Sequence, residues 1–201
     1  MKSYRSRIAV GLAVVGMGLI SSCSELNKSS APVALIVTTN QTLQQIDLAG
    51  NAAGSTSCDQ PLGTVLMEVR LLQNPGDGNL PTDNRFNDVR ITSYRVSYVR
   101  TDGGKLIPQP FTRSISALLT AGSAGQNLTG FLAFEPGALS QAPFAALLPQ
   151  NGGRDPETGS SIVKMDIILE VFGETLAGEK VSGSTRIPLN FCNLCPTRGC
   201  F

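Results

Sequence analysis

The chain has 201 residues, 41% of them hydrophobic and 15% charged, with 16 Lys plus Arg against 15 Asp plus Glu, a balance typical of one compact globular domain. A formal net charge of +1 supplies no basic field for phosphate contacts, so no nucleic-acid partner is expected. The absence of His removes the commonest general base, the commonest zinc ligand and the Ser/His and Cys/His pairings of nucleophilic hydrolases, so the expectation is a protein that is not an enzyme and holds no cofactor.

The N-terminus carries Lys2, Arg5 and Arg7, then the uncharged stretch Ile8 to Ile20, then Ser21, Ser22 and Cys23, which is the order of a secretory signal. About 13 uncharged residues make a helix of roughly 20 Å, short of the roughly 30 Å hydrocarbon core of a bilayer. Leu19-Ile20-Ser21-Ser22-Cys23 resembles the lipobox of bacterial lipoproteins. That resemblance implies a diacylglyceryl group on the Cys23 thiol, cleavage before Cys23, acylation of the new amino terminus and therefore a membrane anchor. It also implies, from Ser24 standing where Asp would retain the protein at the inner membrane, an outer-membrane location in a diderm host. Loss of Lys2, Arg5 and Arg7 leaves a mildly acidic body. Three segments result: a signal peptide over 1–22, a polar tether over 23–33 and one domain over 34–201.

From Ala34 onward, short apolar runs are separated by Gly, Pro, Asn and Asp clusters. The predicted strands are Ala34 to Thr38, Leu43 to Leu48, Thr64 to Leu72, Val89 to Thr101, Thr112 to Leu119, Leu128 to Phe134, Ile162 to Phe172 and Lys180 to Phe191. In the fourth, Tyr94, Val96 and Tyr98 alternate with Ser93, Arg95 and Ser97, an apolar face against a wet face on which Arg100 is also placed. The seventh is apolar on both faces, as in a central strand, and forms a hairpin with the eighth. Gln141 to Leu148, between Pro143 and Pro149, has room for two helical turns at most and reads as a connection. The fold class is mainly β, an antiparallel sandwich with long loops. The order of elements over Thr64 to Phe191 resembles immunoglobulin-like and fibronectin type III-like domains, without the buried Trp of antibody domains.

Besides Cys23 there are four cysteines: Cys58, Cys192, Cys195 and Cys200. In an exported chain two disulfides are the default, with three possible connectivities. Pro196 and Gly199 let Cys195 fold back on Cys200, leaving Cys192 for Cys58; the rival is Cys58 to Cys195 with Cys192 to Cys200. Cys192-Asn193-Leu194-Cys195 also has the spacing of a redox pair, and four thiols could hold zinc, but Pro196 leaves no room for the helix a redox pair sits on and Cys58 has no neighbouring ligand. Asn74 to Asp88 gathers Asp77, Asp83 and Asp88 in a pattern that fits no calcium loop and reads as a surface loop. Asp155 and Glu157, the one pair suggestive of acid-base chemistry, fall in a segment read as an exposed turn. The functional expectation is a non-enzymatic, lipid-anchored envelope protein, structural or binding, whose partners are the membrane, through Cys23, and an envelope or extracellular protein. The alternative is a thiol-redox or metal-binding lipoprotein using the C-terminal cysteines.

Overall fold

The computed structural model describes residues 32–39, 44–48, 62–72 and 85–193, all within the unit Ala31–Phe201. The expected signal peptide, Cys23, most of the tether, Cys58, Asp77, Asp83, Cys195 and Cys200 lie outside the described residues. Eight strands are described: β1 (Val33–Thr38), β2 (Gln44–Asp47), β3 (Leu62–Leu71), β4 (Val89–Arg100), β5 (Phe111–Leu119), β6 (Gln126–Leu132), β7 (Ile162–Thr175) and β8 (Lys180–Cys192). All eight match a predicted strand to within a few residues at each end.

They form two sheets, β1-β3-β6 and β2-β8-β7-β4-β5, packed as a mainly β sandwich. Every pairing is antiparallel except β2 on β8, where Asp47 registers with Cys192. The core lies between the sheets and is built by period-two alternation: Val33, Leu35 and Val37 of β1 and Val65, Met67 and Val69 of β3 face Met165, Ile167, Leu169 and Val171 of β7 and Ile187, Leu189 and Phe191 of β8. β7 is the middle strand of its sheet, which explains why Ile168 and Phe172 can also be partly covered on its outer face.

β4 contains a phase change. Val89 and Ile91 are buried at odd positions and Tyr94, Val96 and Tyr98 at even ones, and the switch falls at a bulge between Ile91 and Ser93 that shifts the register against both β5 and β7. The two tyrosines then bind the opposite sheet. The Tyr98 hydroxyl donates to the Ala133 carbonyl at 2.9 Å and the Tyr94 hydroxyl accepts from the Leu132 N–H at 3.1 Å. Each satisfies a polar group at the inter-sheet layer while its ring fills the core, and Tyr94 meets Phe131 edge-on at 6.2 Å.

The β7–β8 hairpin closes through Leu176–Glu179, with Gly178 at φ +91°. Gly178 N–H donates to Thr175 O at 2.8 Å and Thr175 N–H donates to Glu179 O at 2.8 Å. On the far side, β1 passes close over β8: a Cβ added at Gly183 would stand 2.3 Å from the Leu35 carbonyl oxygen. Because the obstacle is backbone, Gly183→Ala is expected to push β1 off β8 and cost about 1–3 kcal/mol, read as a fall in urea midpoint. A wild-type midpoint would contradict the close packing at this seam.

The long connection from β6 to β7 holds 3₁₀ turns at Pro136–Ser140, Phe144–Leu147 and Pro149–Asn151 and a cis Ala142–Pro143 peptide. Phe144 and Leu147 turn inward, and Phe144 joins Phe191 at 4.7 Å and Phe134 at 5.1 Å in an aromatic plug over one end of the core. The segment read as at most two helical turns is this 3₁₀ connection.

Candidate functional site

The densest polar cluster among the described residues is centred on Arg100, the last residue of β4. The expectation of Arg100 on a wet face is corrected here: its side chain is 2% exposed, because it stands two residues beyond Tyr98, in phase with Tyr94, Val96 and Tyr98 in unbroken register with β7, and turns toward the end of the core. Its Nε donates to Asp102 Oδ1 at 2.7 Å, and its Nη2 to Asp102 Oδ2 at 2.9 Å and Asp155 Oδ2 at 2.9 Å. Nη1 donates to the Leu106 carbonyl at 3.0 Å.

Asp155 is also corrected, since its side chain is 0% exposed rather than part of an exposed turn. Its Oδ2 accepts from the Thr158 hydroxyl at 2.7 Å and the Thr158 N–H at 3.0 Å, a local turn that folds the carboxylate inward onto Arg100. Glu157 Oε2 accepts the N–H groups of Lys105 and Leu106, both at 2.7 Å, and stands 3.9 Å from Arg100 Nη1. Asp102 completes the set by accepting the N–H of Lys164 at 2.9 Å and of Gly104 at 3.2 Å. The cluster thus joins the β4–β5 loop, the start of β7 and the end of the long β6–β7 connection.

Burial opposes ionisation of Asp102, but hydrogen bonds from Arg100, Lys164 N–H and Gly104 N–H outweigh it and hold its carboxyl down at about 2. For Asp155 burial likewise opposes, and Arg100 and Thr158 prevail, so its pKa is lowered. An acid catalyst needs a carboxyl raised toward neutrality and reachable by substrate. Asp155 is buried and lowered, and Glu157 is engaged with two backbone N–H groups, so the pair serves as a brace.

Asp88, from the Asp-rich stretch, is buried at the opposite end. Its Oδ1 accepts the Ala121 N–H at 3.0 Å, and its carbonyl accepts the Leu176 N–H at 2.9 Å. It ties three connections together. Of the cysteines, Cys192 is described: it closes β8, is buried and has its carbonyl bonded to Leu48 N–H at 2.8 Å. Because β2 and β8 run parallel, both strands end here, at Asp47 and Cys192.

Sequence reasoning named Asp155 and Glu157 but not the arginine that holds them. The available signal was Asp155-Pro156-Glu157-Thr158, a side-chain turn motif that buries its first carboxylate. No family model, curated protein or solved structure matches the chain.

Proposed function

We propose that the chain is a non-enzymatic, lipid-anchored envelope protein whose sandwich serves a structural or binding role. The observation that carries this is Leu19-Ile20-Ser21-Ser22-Cys23 behind Lys2, Arg5, Arg7 and an uncharged stretch too short to span a bilayer. The commitment of Asp155 and Glu157 to Arg100 and backbone supports the non-enzymatic part. An immunoglobulin-like architecture is supported by strand order: β1-β3-β6 corresponds to A-B-E of that fold, and β8-β7-β4-β5 to G-F-C-C′.

The four remaining cysteines form two structural disulfides, Cys58 with Cys192 and Cys195 with Cys200. Support comes from burial of Cys192 and from the shared end at which β2, leading toward Cys58, and β8, leading toward Cys195, leave the sheet. A reactive thiol needs an exposed, electropositive setting, which a buried Cys192 lacks.

The test is Cys23→Ser. Without its thiol the chain cannot receive diacylglycerol, and it should move from the membrane fraction to the soluble fraction or accumulate with residues 1–22 uncleaved. Wild-type fractionation and processing would overturn the anchor.

A further inference from the structure

The four most exposed large apolar side chains among the described residues lie at one end of the sandwich. Phe86 is 71% exposed, Leu72 59%, Leu118 51% and Leu176 49%. Register places them together: Val89, at the start of β4, pairs with Leu119 at the end of β5 and with Thr175 at the end of β7. Backbone bonds hold two of the tips side by side, Ala177 N–H donating to Phe86 O at 3.2 Å and Leu176 N–H to Asp88 O at 2.9 Å. Gly122 N–H, just beyond β5, donates to Val69 O at 2.9 Å, bringing the end of β3 to the same place.

The chain also enters the sandwich here. Val33 registers with Leu71, and Leu72 N–H donates to Pro32 O at 2.8 Å. Eight residues separate Cys23 from Pro32, so the contour between the two cannot exceed about 30 Å. A lipid on Cys23 therefore keeps this end near the bilayer surface, while the Arg100 brace and Cys192 lie at the other end.

We propose that this end is a second membrane contact, with Phe86 and Leu176 seated in the interfacial layer of the anchoring bilayer and Leu72 and Leu118 beside them. The inference rests on the lipid-anchor reading. Apolar patches of this kind mark interaction surfaces, and interfacial binding grows with the apolar area buried. Two or three side chains bind lipid weakly alone, but an anchor raises their effective concentration at the surface, so a small gain per residue suffices. Charge at this end is partly self-compensated, Arg90 pairing with Glu174, so the contact is apolar and should resist added salt.

The absence of Trp in the chain makes the test direct. F86W, L176W and, at the opposite end, L106W, each expressed as the full chain with Cys23 intact and purified as the cell processes it, are reconstituted into phosphatidylethanolamine/phosphatidylglycerol vesicles, with and without brominated acyl chains. The indoles at 86 and 176 should be blue-shifted and quenched by the brominated lipid at low and high salt, and the indole at 106 should not. If the protein floats with the vesicles but 86 and 176 are quenched no more than 106, the second contact is wrong and the anchor stands. If the protein does not float with the vesicles, the anchor reading falls and this inference with it.

Discussion

Arg100→Leu is expected to destabilise the fold by about 3–5 kcal/mol at neutral pH, because it leaves Asp102 and Asp155 without the cation they share. For a chain of this size that corresponds to a fall in melting temperature of roughly 10 °C. The pH dependence has a defined sign. Folding lowers the Asp102 pKa to about 2 and lowers that of Asp155, against an unfolded value of about 3.9. A depressed carboxylate stabilises above its unfolded pKa and loses that contribution as pH falls through its folded one. The wild type should therefore weaken from about pH 4 toward pH 2. In the variant burial acts unopposed by Arg100, so the carboxyls protonate at higher pH and the gap between the two proteins closes as acid is added. Thermal melts of both proteins across this range measure it. A gap that is small at pH 7, or that widens in acid, would contradict the brace.

Phe191→Ala is expected to cost about 3–5 kcal/mol for a different reason. Phe191 is fully buried on β8, meets Phe144 at 4.7 Å and Phe134 at 5.9 Å, and closes the core beneath the β6–β7 connection. Truncation leaves a cavity whose lining includes a 3₁₀ segment with little regular backbone support, so the connection should loosen before the strands do. Chemical denaturation gives the global loss, and amide exchange at Ala145, Ala146 and Leu148 gives the local one. Phe86→Ala, at an exposed tip, should change stability by less than about 0.5 kcal/mol. Equal effects for the two phenylalanines would contradict the assignment of core and surface.

The strands were legible because most of them alternate. Val33, Leu35 and Val37, or Met165, Ile167, Leu169 and Val171, state their inward face without help from the rest of the chain. Tyr94, Val96 and Tyr98 were legible for the same reason. Arg100 was not, because a charged residue at a strand end ordinarily points to water, and only the partners brought from Asp155 and the β4–β5 loop make its burial favourable. Those partners are tertiary, 55 residues away in the case of Asp155. The parallel pairing of β2 with β8 was equally hidden, since four residues of β2 carry no signal for the direction of a neighbour at the far end of the chain. The apolar tips escaped notice because Phe86 and Leu176 are single hydrophobic residues in polar loops, and only the fold brings them to the end where the chain enters.

The direct measurement of the lipid-anchored sandwich is the intact mass of the full chain extracted from membranes, alkylated before and after reduction. The account predicts a polypeptide beginning at Cys23, heavier by a diacylglyceryl group and an amide-linked acyl chain, with no thiol alkylated until reduction and four alkylated after it. An unmodified mass, a chain that retains residues 1–22, or thiols free before reduction would contradict it.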